Sequence, residues 1–261
     1  INVEKLLDEI ESYWSTRTEG YSEVNHKELA GTQKNAWLKV LTSQFPDKPK
    51  EEIRILDIGT GPGFFPVILA EAGYHVDAVD YTEGMLEKAK ENAGNLCRNI
   101  RFLRMDAQKL NFEDNTFDVV ISRNLTWNLE HPDVAYREWV RVLKVGGRLL
   151  NFDANWYGYL YEEEQRKAYE NDRKNVENNS LDDHYLCTDI ERMERIALQV
   201  PLSKISRPQW DVKTLREAGL LGIRTDTEIW KMVWSEEERL NYQSTPCLLY
   251  TSPSPRDSTS S

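Results

Sequence analysis

Residues 55–65 read Ile-Leu-Asp-Ile-Gly-Thr-Gly-Pro-Gly-Phe-Phe, and a further acid, Asp80, closes the run Tyr74-His75-Val76-Asp77-Ala78-Val79-Asp80. Glycines let a turn bend tightly and let a ligand approach bare backbone. A carboxylate about 20 residues on, at the tip of the next strand, accepts both hydroxyls of a ribose. The elements that must position these groups are legible on either side. An apolar run (Ile53, Ile55, Leu56, Ile58) precedes the turn and an apolar-rich segment, Phe64 to Ala72, follows it. That order is the strand–turn–helix of a nucleotide-binding α/β unit.

The glycine spacing selects among such units. A dinucleotide site uses Gly-x-Gly-x-x-Gly, with the helix N-terminus facing a pyrophosphate. Here the glycines are Gly59, Gly61 and Gly63, and Phe64 occupies the third position of that fingerprint. Asp57, two residues before the first glycine, would repel a phosphate placed beside it. A ligand with an ammonium group and no phosphate fits better.

The loop resembles motif I of the class I S-adenosylmethionine-dependent methyltransferases, and the resemblance continues in order along residues 51–153. Tyr81-Thr82-Glu83-Gly84-Met85-Leu86-Glu87-Lys88-Ala89 is similar to the family's second helix. Ile100 to Ala107 resembles its third strand with an Asp-Ala end, and Phe117 to Asn124 its fourth strand and tip. Arg137 to Arg148 resembles the helix–turn–strand "Leu-Lys-Pro-Gly-Gly" segment, with Val145 in place of Pro. Tyr13 to Arg17 and Tyr21 give a weaker echo of an N-terminal segment that covers the cofactor in some relatives. Five ordered motifs are far more specific than one glycine loop.

The resemblance implies an α/β fold: a Rossmann-like doubly wound, mostly parallel sheet with N-terminal helices and a helical lid insertion. It implies S-adenosyl-L-methionine as cofactor and a small-molecule methyl acceptor. The implied cofactor-binding residues are Arg17, Tyr21, Asp57, Gly59, Thr60, Gly61, Gly63, Asp80, Tyr81, Met85, Asp106, Ala107, Arg123 and Asn124. Asp80 would hold the ribose diol, Asp106 the adenine amino group, and Met85 would pack near the adenine. Asp57 meets the ammonium or caps the turn, and both readings stay open. Arg123 pairs with a carboxylate of the methionine part or of an acidic substrate, or forms a surface ion pair. Trp127, Trp156, Tyr157, Tyr159 and Trp210 are candidates for an aromatic acceptor pocket, against ordinary packing between lid and core. Methyl transfer is mostly positioning, so no catalytic base is required. His131, just past the fourth strand, is the candidate if one is used, against an exposed loop histidine. Two rival readings are an NAD(P)-dependent Rossmann oxidoreductase, which Phe64 disfavours, and a cofactor-binding module without turnover.

Composition sets bounds. The 261 residues carry a formal net charge of −11 with 39% hydrophobic residues. An acidic chain with no dense Lys/Arg block argues against a nucleic-acid partner. Cys97, Cys187 and Cys247 show no CxxC spacing, as expected of reduced thiols in the cytoplasm. The four histidines have no metal-ligand spacing. No apolar run approaches a membrane span, and no basic-then-apolar signal segment opens the chain. It begins at Ile1 without Met, as a fragment or trimmed product would.

Along the chain the pattern divides into an N-terminal helical cover (1–50), the α/β core (51–153), an insertion or lid (154–210) and a helix and strand completing the core (211–246). Val3, Leu6, Leu7, Ile10 and Trp14 predict an amphipathic helix over 3–14, and a second helix spans Lys34 to Gln44. Asp133 is the predicted N-cap of a helix holding Val134 to Leu143, with Gly146-Gly147 turning into a strand from Arg148 to Phe152. Thr188 to Glu191 reads as a capping box before a helix over Ile190 to Gln199. Asp211 is read as the cap of a helix ending at Ala218, with Gly219 at its C′ position, and Ile223 to Trp230 as a strand. Residues 247–261 resemble the translation of a sequencing-library transposase adapter, against a natural Pro/Ser-rich tail. On that reading the sheet lacks its last strand, and Leu248 to Tyr250 substitutes for it poorly.

Overall fold

The structure is a computed structural model that describes residues 3–181, 189–243 and 248–253. Its centre is a seven-stranded sheet of order β3-β2-β1-β4-β5-β7-β6. The strands are β1 (Arg54–Ile58), β2 (His75–Asp80), β3 (Ile100–Arg104), β4 (Phe117–Arg123), β5 (Leu143–Asp153), β6 (Arg224–Asp226) and β7 (Leu248–Pro253). β1 to β5 pair in parallel, whereas β7 pairs antiparallel with both β5 and β6. Parallel central strands are covered on both faces and read as apolar runs. Ile55 to Ile58 and Phe117 to Ser122 are accordingly buried throughout.

Side chains alternate between the faces of a strand, and this splits the core in two. Ile55, Val119, Ile121, Leu150 and Phe152 pack with Trp37, Phe64 and Phe65, under helices α2 (Gln33–Thr42) and α3 (Phe64–Glu71). Leu56, Ile58, Val120 and Leu149 pack on the opposite face with Tyr136, Trp139 and Leu215, under α5 (Pro132–Val142) and α8 (Gln209–Glu217). On α5, Ala135, Tyr136, Trp139 and Val142 are buried at helical spacing. α4 (Glu83–Ala93) links β2 to β3. The insertion contributes α6 (Glu163–Asn178) and α7 (Ile190–Ala197), and α9 (Trp230–Val233) and α10 (Glu236–Asn241) follow β6.

Several sequence expectations change. The first helix, α1, runs from Val3 to Ala30, because Ser22, Asn25 and Glu28 continue its buried stripe past Trp14. The N-cap of α5 is His131, with Pro132 at the first helical position and Asp133 within the first turn. Gly146 and Gly147 lie inside β5 at a register shift between Phe117 and Val119, so they bulge the strand where a turn was expected. Thr188 lies outside the described residues, and Asp189 caps α7 by accepting from Arg192 N at 3.0 Å. Pro208 is the N-cap of α8, and Asp211 is fully buried within it. Only Arg224–Asp226 of the segment 223–230 is strand, and Trp230 opens α9. The largest correction concerns the missing strand: β7 fills the slot between β5 and β6.

Candidate active site

The strand order reverses between β1 and β4, and in open α/β sheets a ligand crevice lies beyond the carboxyl ends at that point. A pocket lies there. Gly59 and Gly61 after β1, Asp80 and Tyr81 after β2, Asp106 and Ala107 after β3, and Arg123 and Asn124 after β4 all line it. So do Tyr21 from α1 and Met85 from α4. The roof is α1, which contributes Leu7, Ile10 and Trp14.

The glycine turn is built from left-handed backbone. Gly59, Gly61 and Gly63 have φ of 70°, 55° and 89°, a region that side chains disfavour. Gly59 N and Thr60 N donate to Val79 O at 2.9 and 3.0 Å, which docks the turn on β2. A Cβ on Gly61 would meet nothing within 4 Å, so the backbone is open there. Gly63 serves packing, since its Cβ would stand 2.9 Å from Ala89 Cβ. Gly63, Thr60 and Asp57 are not among the crevice-lining residues. The Thr60 hydroxyl donates to Asp57 Oδ2 at 2.6 Å. Burial pushes the Asp57 carboxyl up to about 7, against the Thr60 bond and the Arg123 charge, which favour ionisation. Asp57 therefore ties the turn from below.

Asp80 does face the crevice. Its Oδ2 accepts from Gly61 N at 2.8 Å and its Oδ1 from Thr82 N at 2.9 Å, so one carboxylate spans both turns. Burial raises its pKa, and these backbone donors oppose the rise. The Asp106 side chain closes a local turn by accepting from Gln108 N at 2.9 Å. Gln108 Oε1 in turn accepts from His131 N at 2.6 Å, joining the loops after β3 and β4.

Arg123 is already paired. Its Nη1 donates to Glu28 Oε2 at 2.9 Å, and its guanidinium lies over Trp37, Phe64 and Phe65 within 5.1 Å of each centroid. Burial disfavours its charge, but Glu28 more than offsets this and its pKa is raised. Arg17 lies on α1 outside the crevice lining. Asn124 holds a left-handed φ of 57°, and its Oδ1 is buried with no hydrogen-bond partner. Oriented by its neighbours, the Asn128 amide donates to Leu125 O at 2.6 Å and accepts from Trp14 Nε1 at 2.9 Å, fastening the roof to the loop.

None of the five expected aromatic residues lines the crevice: Trp127, Trp156, Tyr157 and Tyr159 gather in one packing cluster beside it, and Trp210 stands apart. Trp127 is packed with Leu6, Tyr13 and Ile196, its Nε1 donating to Asn124 O at 3.1 Å. Tyr157 tilts against Trp127, and Trp156 meets Tyr242 edge-on. Tyr159 stacks on Tyr169 at 4.0 Å and donates to Glu194 Oε1. Trp210 lies apart, against Tyr136 in a separate cleft. His131 is also outside the lining, its side chain 46% exposed. Sequence reading missed Glu130, which does line the crevice and whose Oε2 is buried without a partner. Only its position between Leu129 and His131 marked it. Among the described residues no cluster of His, Cys, Asp or Glu could hold a metal, and no helix is long and apolar enough to cross a membrane.

Residues 56–151 match the family model described as a methyltransferase domain. The demethylmenaquinone methyltransferase of Clavibacter sepedonicus is 39% identical over 97 residues, covering 37% of this chain and 39% of that protein. The ubiquinone/menaquinone biosynthesis C-methyltransferase UbiE of Xanthomonas oryzae pv. oryzae is 30% identical over 169 residues, covering 61% and 64%. The chain thus spans less than two thirds of these curated relatives. Phosphoethanolamine N-methyltransferase 2 of Haemonchus contortus, solved in complex with S-adenosyl-L-methionine, superposes with a TM-score of 0.60 at 18% identity, covering 85% of this chain and 53% of that one. That likeness shows the fold.

Proposed function

We propose that this chain, whose residues 56–151 match a methyltransferase domain, uses S-adenosylmethionine to methylate a small, largely apolar acceptor. The observation that carries this reading is Asp80, a carboxylate at the tip of β2 bonded to Gly61 N beside an open left-handed turn. The residues present fit the cofactor. Asp80 retains lone pairs for ribose hydroxyls, each such bond being worth about 1.5–3 kcal/mol. The open backbone at Gly61 admits the ligand where a side chain would block it. The unpartnered Asn124 Oδ1 suits the ammonium. Tyr81, Met85, Ala107 and Leu129 offer apolar contacts for adenine. Asp106 Oδ1 is engaged by Gln108 N, which leaves Oδ2 as the freer acceptor for the amino group.

When bound, the sulfonium supplies an electrophilic methyl group. The protein's share is alignment and exclusion of water. Leu7, Ile10 and Trp14 close the crevice, while Arg123, neutralised by Glu28, braces its floor. The apolar lining, with Leu125 and Leu129, suits a flat uncharged ring. Relatives named for demethylmenaquinone support a reduced quinone as the acceptor class.

Calorimetry with S-adenosylhomocysteine and with NADH tests the donor. Binding of the first and not the second is expected, and Asp80→Ala should weaken it about tenfold or more. An unchanged affinity in Asp80→Ala would remove the ribose assignment. Turnover with a reduced demethylated quinone, and none with simple amines, is the expected acceptor result.

A further inference from the structure

Behind the crevice wall, a chain of buried polar side chains runs from the loop after β4 to the end of the insertion. Thr126, Asn151, Tyr136 and Asp211 are all 0% exposed, and the Arg207 side chain is 1% exposed. Asn151 on β5 uses its amide nitrogen twice, donating to Thr126 Oγ1 at 3.0 Å and to Tyr136 Oη at 2.9 Å. The Tyr136 hydroxyl on α5 donates to Asp211 Oδ1 at 2.5 Å. Asp211 on α8 receives a fork from Arg207, Nη2 at 2.7 Å and Nε at 2.8 Å. Arg207 Nη1 then reaches Asp153 Oδ2 at 2.7 Å, at the end of β5.

The two ends differ in what they hold. Thr126 sits within residues 124–130, of which Asn124, Leu125, Asn128, Leu129 and Glu130 line the crevice. Arg207 lies where the insertion returns to the core. None of the six chain members lines the crevice. The surroundings are apolar, with Leu149, Trp139 and Leu215 in the same cluster. A buried polar group in such a place gives little net stability over an apolar one of the same shape, yet leaving its partner unsatisfied is expensive. The chain therefore enforces one arrangement of its members.

We propose that Thr126, Asn151 and Tyr136 are positioning residues that hold loop 124–130 in its donor-binding geometry, with Arg207 and Asp211 tying that loop to the insertion. The proposal rests on the reading that the crevice binds S-adenosylmethionine. Tyr136→Phe deletes one hydroxyl and Thr126→Val exchanges a hydroxyl for a methyl, so neither changes the shape of the core much. Leu220→Ala serves as control, because Leu220 is fully buried in the same apolar cluster and lies outside the crevice. Calorimetry with S-adenosylhomocysteine, alongside thermal unfolding, should show Kd raised about fivefold in both polar variants. The control should lose Tm with Kd unchanged. Equal weakening in the control, or wild-type affinity in the polar variants, overturns the proposal. If Tyr136→Phe does not fold, Thr126→Val alone decides it. Failure of the wild type to bind refutes the donor reading itself. Wild-type binding with unaffected variants refutes only the positioning role.

Discussion

At the scale of single residues, the three glycines of one turn do three different jobs. Gly61 leaves room for a ligand, Gly59 passes under Leu125, and Gly63 lets α3 approach Ala89. Their substitutions should therefore separate affinity from stability. Gly63→Ala places a Cβ 2.9 Å from Ala89 Cβ at a φ of 89°, and should destabilise the fold by about 1–3 kcal/mol. Calorimetry on the folded fraction should find its S-adenosylhomocysteine affinity close to wild type. Gly61→Ala has only its positive φ to overcome, at about 1 kcal/mol, but its methyl occupies the crevice, so affinity should fall more than Tm. The reverse ranking would mean that the two glycines have been assigned the wrong way round. The sequence made this turn and Asp80 legible because both rest on local constraints, a bend and a strand tip. It could not show that Gly63 faces Ala89, since that contact depends on how α4 packs.

At the scale of elements, α1 and α10 converge on the end of β4. Glu28 pairs with Arg123 beneath the crevice, and Glu238 caps α10 while accepting from Gln33 Nε2 at 2.8 Å. Removing one member of a buried pair strands the other. Glu28→Ala should thus cost about 3 kcal/mol in urea unfolding, whereas Glu11→Ala, which loses the exposed pair with Arg104, should cost under about 1 kcal/mol. Equal losses would show that the buried pair has no special weight. The pH response follows from Glu238. Burial, with Glu28 next in effect, pushes its carboxyl up to about 7. The folded state then keeps a proton that the unfolded chain releases near pH 4.5, so this group's contribution is full below pH 4.5 and is lost as pH rises through 7. Glu238→Gln keeps the capping geometry and removes that loss. Its unfolding free energy in urea should match wild type at pH 4.5 and exceed it at pH 8 by on the order of 1–2 kcal/mol. A constant offset across pH would exclude Glu238 as the titrating group. None of this convergence was legible, because the periodicity of residues 3–14 weakens into the polar stretch Ser15 to Gly20 before the buried Glu28 is reached. The aromatic residues misled for a related reason. Trp127 follows β4 and Tyr157 follows β5, close to the site in sequence order, but both pack against α7, and Trp210 joins the cluster under α5 and α8.

At the scale of the whole molecule, the alternation of apolar strands and helices over residues 51–153 was enough to fix five parallel strands, since each such strand declares itself by its own burial. The remaining two strands were harder to read. β6 is three residues long and β7 carries no apolar alternation of the kind expected, yet β7 spans the register from Arg148–Pro253 to Asp153–Leu248. Its backbone bonds, more than its composition, place it. A chain ending at residue 246 would bare the whole β5 edge and leave β6 without the strand it pairs with. Its Tm should fall by at least about 4 °C, the shift worth roughly 1 kcal/mol or more in a domain of this class. Light scattering should report self-association. Identical melting of the two chains would show that the strand adds nothing.

The interior place of β7 has a bearing on how the protein comes into being. Residues 224–226 leave the ribosome before residues 248–253, yet they join the sheet only through them. The nascent polypeptide must therefore hold a flank in reserve, keeping a gap until its partner arrives. The five parallel strands can mature during translation, while β6 waits for the segment that joins it to them.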